Sequence, residues 1–336
     1  MTGGSSSASR ARDDRGGRAA PSDDRQSTLA QMARFYLQLT PRQLPSRLLY
    51  DTLGSALFDA ICQLPWYRIT RAELGLLERH AADIRTVLGR RGRVVELGCG
   101  NGEKLAALLQ GGADADLHAH LIDLSQSALL RAEQTLAGPG VRRRLRVTTH
   151  CAAYEDGLIA LPPADGVPTL VLFLGSNIGN FDAPGSAAFL TAIRRALRPG
   201  DALLLGADLV KPERELLLAY DDPLGVTAAF DKNLLLRLNT ELDADFDLSR
   251  FAHEARWNRQ ASRVEMHLVS LATQTVHLQA ADLRVDLEAG ESIWTESSYK
   301  YQPDGVRTLV ESAGFVQRSQ WIDEEARFAL TLFESA

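Results

Sequence analysis

The sequence predicts an α/β protein with a Rossmann-like, doubly wound parallel sheet and a second domain attached to it. Three observations predict it. Short, nearly continuous apolar runs (RVVEL, LHAHLID, TLVLF) alternate with stretches of helical period. A glycine-rich turn, Glu96-Leu97-Gly98-Cys99-Gly100-Asn101-Gly102, leads from the first run into a helix. An acid, Asp123, closes the second run.

In chain order, residues 1–28 are rich in Gly, Ser, Arg and Asp and poor in large apolar side chains, so they are expected to be disordered. Residues 29–71 read as helical, through LYDTLGSALFDAICQLP, and a second helix follows over 72–89. RVVELGCGNGEKLAALLQ and LHAHLIDLSQSALLRAEQTL are two strand–turn–helix units. LRVTTHCA and TLVLFLGSNIGNF supply further strands, and AAFLTAIRRALRPGDALLLGADL a helix, a Pro-Gly turn and a strand. After Lys211 this rhythm breaks. DKNLLLRLNTELDADFD is helical, and SRVEMHLVSLA with QTVHLQA reads as a hairpin. The pattern resumes with the helix YQPDGVRTLVESAG and two closing strands. The expected division is a substrate-binding domain of 29–72 plus 211–300, and a sheet domain of 73–210 plus 301–336.

The 336 residues, 45% hydrophobic and 24% charged, suit a soluble globular protein with a large core. A formal net charge of −6 disfavours a nucleic-acid partner. No apolar run has the length of a membrane span, and no signal-peptide core is present. Cys62, Cys99 and Cys151 have neither metal-ligand nor disulfide spacing, so no metal is expected and the location is cytoplasmic. The four lysines, Lys104, Lys211, Lys232 and Lys300, are outnumbered by arginine, which reads as coding bias.

Glycines at a strand-to-helix turn let backbone approach a ligand, and an acid such as Asp123 can accept both hydroxyls of a ribose. The bland reading is a tight turn for Gly98, Gly100 and Gly102 and a helix-end charge for Asp123. Together with the ALRPGDALLL element, these features resemble the class I S-adenosylmethionine-dependent methyltransferases more than a nicotinamide enzyme. LFLGSNIGNF would lie at a strand's C-terminal end, in the ligand crevice, or else be a capped polar loop. In IWTESSYKY, Glu296, Ser298 and Lys300 share one face if the run is extended.

LYDTLGSALFDAICQLPWYRITRAE, ELGCGNGEK, LFLGSNIGNF, YDDPLGVTAAFDKN, EMHLVS and IWTESSYKY occur in one order. That series resembles the histidine Nα-methyltransferases of ergothioneine biosynthesis, from about Leu29 to the C-terminus. The resemblance implies three methyl transfers from S-adenosylmethionine, with S-adenosylhomocysteine as product, to the α-amine of L-histidine, giving hercynine. A monomer is expected, with L-histidine as its small-molecule partner and no nucleic-acid or membrane partner. By that resemblance Gly98, Gly100, Lys104, Asp123 and Tyr154 would contact the methyl donor. Tyr50 and Gly175 would face the substrate amine. Asn180 and Tyr220 would hold its carboxylate, while Phe58, Tyr67, Thr227, Phe230 and Met266 would shape the ring site. Glu296 and Ser298 would read the imidazole nitrogens. Two departures from the family stand out: Ala153-Tyr154 replaces an acid–aromatic pair, and WYRIT replaces a Tyr-Tyr-Pro-Thr order.

Bland alternatives are core packing for the aromatics and Met266, an acidic helix end for Tyr220-Asp221-Asp222, and structural roles for His267 and His277. The chemistry asks for a neutral amine, which an aromatic pocket favours by desolvating its ammonium. Asn180 and Tyr220 would bind the carboxylate as neutral donors, keeping a second buried cation away from the sulfonium. Competing functions are methylation of another amino acid such as a tryptophan derivative, nicotinamide-dependent redox chemistry, and non-catalytic nucleotide binding.

Overall fold

A computed structural model describes residues 21–111, 115–138, 144–164 and 166–336. The chain opens with α1 (Pro21–Leu37), β1 (Arg42–Gln43), α2 (Thr52–Gln63) and α3 (Ile69–Arg85). Alternating elements follow: β2 (Arg91–Leu97), α4 (Glu103–Leu109), β3 (Asp116–Asp123), α5 (Gln126–Leu136), β4 (Leu145–Cys151), α6 (Tyr154–Ile159), β5 (Thr169–Phe173), α7 (Ala183–Ala196) and β6 (Ala202–Asp208). Next come α8 (Glu213–Tyr220), α9 (Val226–Leu242), β7 (Phe251–Asn258), β8 (Arg263–Ser270), β9 (Gln274–Leu278), β10 (Leu283–Leu287) and β11 (Ser292–Tyr299). The last three elements are α10 (Pro303–Glu311), β12 (Phe315–Asp323) and β13 (Phe328–Ser335).

The large sheet has seven strands in the order β4-β3-β2-β5-β6-β13-β12. Strands β2 to β6 are parallel, and β13 runs antiparallel to both β6 and β12. Strands pleat, so neighbours point to opposite faces. Val94, Leu170 and Leu204 accordingly join one apolar cluster, and Val95, Val171 and Leu203 the other. The first cluster continues through Leu77, Ile61, Phe230, Met266 and Ile293, so one core runs from the sheet into the inserted region. Sheet order reverses between β2 and β5, which opens a crevice at their C-terminal ends.

The insertion supplies the β9–β10 hairpin and three strands of a second sheet, β1-β11-β8-β7, to which the N-terminal segment adds β1. The expected hairpin of SRVEMHLVSLA with QTVHLQA does not form. Instead β8 lies between β11 and β7, and β9 pairs with β10. Alternation identifies a strand and leaves its partner open; here the Ser270 N–H bonds the Glu291 carbonyl and turns the chain off the sheet.

The expected disordered tail lies outside the described residues over 1–20, but helix begins at Pro21, ahead of position 29. Tertiary docking explains the difference: Leu29, Ala33 and Leu37 are buried, and Gln26 donates to the Glu241 carbonyl on α9. The 29–71 stretch is not continuous helix either, because β1 pairs parallel with β11 through Arg42 and Ile293. The two sheets meet where β6 and β11 end: the Tyr301 N–H bonds the Asp208 carbonyl, and Val210 N–H bonds that of Tyr301.

Candidate active site

The glycine turn after β2 is shaped for close approach. Gly98, Gly100 and Gly102 have φ of 75°, 52° and 76°, the left-handed region that favours glycine. A Cβ on Gly98 would sit 2.8 Å from the Tyr154 Oη and 3.0 Å from the Asn177 Nδ2. A Cβ on Gly102 would strike the α5 backbone, 2.9 Å from the Ala132 Cα. Asp123 ties the turn down, its carboxylate accepting from the N–H of Gly100 (3.1 Å) and of Ser125 (2.9 Å). Burial raises the Asp123 pKa, with those two N–H groups opposing the shift. Tyr154, at the start of α6, packs on Phe173 and Phe189 and brings its phenol against this turn. Glu155 beside it is exposed.

Beneath the turn lies a carboxylate that the sequence reading missed. Glu73 is fully buried on α3 and pairs with the Lys104 ammonium at 2.7 Å. It also accepts the Gly175 N–H at 2.8 and 2.9 Å. One side chain thus holds both the helix after β2 and the loop after β5. Burial pulls the Lys104 pKa down, but Glu73, with smaller help from Cys62 and Glu96, leaves it raised. A signal was present: Glu73 interrupts the apolar face Ile69, Ala72, Leu76, Leu77, where an unpaired acid is not tolerated.

The substrate cavity is a cleft open to solvent, with about 450 Å³ of atom-free space that includes its mouth. Its walls come from segments far apart in sequence. Tyr50 follows the 3₁₀ turn Ser46–Leu49, Phe58 and Ile61 lie on α2, and Tyr67 precedes α3. Gly175, Ser176, Asn177 and Asn180 come from the loop after β5, and Tyr220 ends α8. Thr227 and Phe230 lie on α9, Met266 on β8, and Glu296 and Ser298 on β11. All eleven positions assigned to substrate from the sequence line this cavity. The five assigned to the methyl donor, Gly98, Gly100, Lys104, Asp123 and Tyr154, surround the adjoining glycine turn. Asn177 and Gly175 form the shared wall, since Lys104 Nζ lies 2.9 Å from where a Gly175 Cβ would be.

The aromatic walls meet edge to face: Tyr50 with Phe58 and with Phe230 at 5.6 Å, Phe58 with Tyr67 at 6.1 Å, Tyr67 with Tyr220 at 6.3 Å. Burial, followed by smaller repulsions that include Glu296, raises the Tyr50 phenol well above its ordinary value, so it stays protonated. Thr227 is buried at the start of α9, where its N–H donates to the Asp222 carboxylate at 2.7 Å.

Strand β11 presents Glu296 through a bulge. Trp294 pairs with His267 and Glu296 with Met266, leaving Thr295 as the extra residue, its hydroxyl on the Met266 carbonyl. The bulge flips the alternation, so Ile293, Glu296, Ser298 and Lys300 all point inward. Burial and then Asp231 push the Glu296 pKa up to about 7, against the opposing charges of Lys300 and His253. Asp231 and His253 form a buried pair at 2.8 Å, unforeseen from the sequence, and His253 Nε2 donates to the Tyr220 carbonyl at 2.8 Å.

Tyr220, one of the two neutral donors expected at the carboxylate, is backed by a cation. Tyr220 Oη and Ser298 Oγ lie 2.8 Å apart, and both accept from the buried Lys300 ammonium at 2.8 Å. A cation backs the pair. Lys104 pairs with Glu73, and Lys211 and Lys300 both pair with Asp208. His267 and His277 are bound to Glu265 and Asp245, away from the cavity walls.

The glycine turn fits S-adenosylmethionine. The Glu96 Oε2 is buried without a partner among the described residues, and burial raises its pKa to about 8. An orphan acceptor suits an amine, Lys104 a carboxylate, and Asp123 a ribose diol. No Cβ-blocking atom lies within 4 Å over Gly100.

Sheet order, glycine turn and acid after β3 define a class I S-adenosylmethionine-dependent methyltransferase. Residues 29–335 match the family of histidine-specific, SAM-dependent methyltransferases. The histidine N-alpha-methyltransferase of Mycobacterium tuberculosis (strain CDC 1551 / Oshkosh) is 40% identical over 296 residues, 88% of this chain and 91% of that protein. That of Mycolicibacterium smegmatis is 40% identical over 314 residues, 92% and 96% of the two chains. Ergothioneine biosynthesis protein 1 of Schizosaccharomyces pombe is 29% identical over 282 residues, 81% of this chain and 36% of that protein. The chain belongs to the histidine-specific methyltransferase family, and it is an S-adenosylmethionine-dependent histidine methyltransferase.

Proposed function

We propose that the protein methylates the α-amino nitrogen of L-histidine three times in succession, giving N,N,N-trimethylhistidine (hercynine). The observation that carries this reading is the single cavity in which an aromatic cage adjoins the glycine turn at one end and Glu296 with Ser298 lies on its wall. Bound S-adenosylmethionine supplies an electrophilic methyl group on its sulfonium.

The chain's own residues position and desolvate. Tyr50, Phe58, Tyr67 and Phe230 disfavour a protonated amine by excluding water. Their ring faces also suit the quaternary ammonium of the final product, which has no N–H left to bond. The Gly175 carbonyl orients amine N–H groups, and the peptide before it is fixed by the bond from the Gly175 N–H to Glu73. Tyr50, held protonated, directs a lone pair at the amine and removes no proton. Asn180 and Tyr220 take the carboxylate. Glu296 accepts an imidazole N–H, a charge-assisted bond that another ring would leave unpaired. As methyls accumulate, carboxylate and ring ends must hold the intermediates. In this reading 29–72 with 211–300 form the substrate-binding part of the chain.

The test is incubation of the protein with S-adenosylmethionine and each amino acid, followed by mass spectrometry. Histidine should gain 14, 28 and 42 mass units (about 14 per methyl by elementary stoichiometry). Accumulation of a monomethyl product, or preferential methylation of a different amino acid, overturns the proposal.

A further inference from the structure

Lys300 sits behind two hydroxyls of the cavity wall, those of Tyr220 and Ser298, and the bonds around it can be counted in full. An ammonium has three donors and no acceptor. Lys300, fully buried, uses all three: on Tyr220 Oη and Ser298 Oγ at 2.8 Å each, and on Asp208 Oδ2 at 3.0 Å. Asp208 is itself shared, its other oxygen 2.6 Å from the Lys211 Nζ.

The third side of the triangle, Tyr220 Oη to Ser298 Oγ at 2.8 Å, needs one hydrogen. Lys300 offers both oxygens a hydrogen and can accept none. The hydrogen between the hydroxyls is therefore supplied by one of them. Two hydroxyl hydrogens enter the triangle, one is consumed in it, and one is left for the cavity that both residues line. When Ser298 donates to Tyr220, the cavity meets a donor at Tyr220 and an acceptor at Ser298. In the opposite arrangement the two roles exchange.

We propose that Lys300 is a positioning residue that couples carboxylate and ring recognition, by leaving Tyr220 and Ser298 a single hydroxyl hydrogen to give to the amino acid. A substrate whose carboxylate takes the Tyr220 hydrogen then meets Ser298 as an acceptor, and must present an N–H there. The site thereby reads both ends of the ligand together. Position favours this over packing alone: Lys300 touches both ligand-facing hydroxyls, and Asp208 anchors it at the seam between the two sheets.

The inference rests on the reading of the cavity as the histidine site. Its test is a double-mutant cycle on kcat/KM for histidine with Tyr220→Phe, Ser298→Ala and the double variant, repeated in Lys300→Met. Calorimetry with S-adenosylhomocysteine serves as the control for the methyl-donor site. In the natural background the two losses should be non-additive by about fivefold or more. Lys300→Met should raise KM for histidine about tenfold or more, with kcat changed less, and shrink that coupling. Affinity for S-adenosylhomocysteine should stay within about twofold in every variant that folds. Additive losses in the natural background overturn the proposal, and that half of the cycle needs no lysine variant, so misfolding of Lys300→Met leaves it decisive. A lysine that only packs would lower thermal stability and leave the KM of the folded fraction unchanged. If the unaltered enzyme does not turn over histidine at all, the substrate reading has failed; turnover with additive losses means that only the coupling has failed.

Discussion

The two halves of the active site are built by different means. The methyl-donor half is local: within Glu96–Lys104 the chain supplies a strand end, three left-handed glycines and a helix start. Its glycines and the side chains of Glu96 and Lys104 lie within one short segment, so their spacing in sequence nearly equals geometry in space. The substrate half is assembled from side chains on α2, α8, α9, β8 and β11, spread from Phe58 to Ser298. The first half depends on its left-handed glycines, whereas the second depends on how several elements dock. Glu73 is where the two depend on each other.

The largest effect should follow from breaking that joint. A methyl group on Gly206 would lie 1.9 Å from the Glu73 Oε1. Gly206→Ala should therefore cost about 3 kcal/mol of stability or more and weaken S-adenosylhomocysteine and histidine together. Thermal denaturation with calorimetry checks it, and loss of one ligand alone would contradict the joint role.

Glu296→Ala should affect only the substrate half. It should raise KM for histidine roughly a hundredfold, about 2.7 kcal/mol, while S-adenosylhomocysteine binding barely changes. Equal losses for both ligands would sink the ring-reading role.

The acidity of Glu296 makes the same comparison with pH. With a pKa near 7, the carboxylate is present above that value and lost below it. Histidine affinity at saturating S-adenosylhomocysteine should rise by about tenfold from pH 6 to pH 8. Glu296→Gln should keep only the part of that slope owed to the ligand's own ring. Parallel slopes in both proteins would remove Glu296 from the titration.

Stability should move the other way. Below pH 4.5 the group is neutral folded or unfolded and costs nothing; as pH rises, the unfolded chain ionises first, and folding becomes less favourable until about pH 7. Glu296→Gln should thus stabilise the protein by about 1–3 kcal/mol at pH 8, a gain that fades towards pH 4. A melting temperature unchanged at pH 8 would show that the carboxylate carries no such cost. The smallest effect belongs to the surface pair Arg131–Asp59 at 3.4 Å. Asp59→Ala should change stability by less than about 0.5 kcal/mol, and a larger loss would mean that α2 is clamped to α5 more tightly than an exposed pair allows.

Much of this was legible in the chain. The five parallel strands follow from apolar runs, the glycine turn from its spacing, and the shared face of Glu296, Ser298 and Lys300 from strand period. What was not legible has a common cause. The β8–β9 pairing failed because two alternating segments do not name their partners. The start of α1 was hidden because its stability comes from docking on α9. Glu73, Asp208, His253 and Asp231 escaped because each looks like an ordinary charged residue until its partner arrives from a distant segment. Glu73 alone left a trace, as an acid on an apolar helix face.

By itself, then, the sequence determined the sheet, the methyl-donor turn and which residue types were on offer to a substrate. Those features depend on local backbone preferences and on hydrophobic period, both written in consecutive residues. Only the tertiary structure decided that Lys300 stands behind Tyr220 and Ser298, with Asp208 behind it. A buried charge is stable only where its partners converge, and here they converge from α8, β6 and the end of β11.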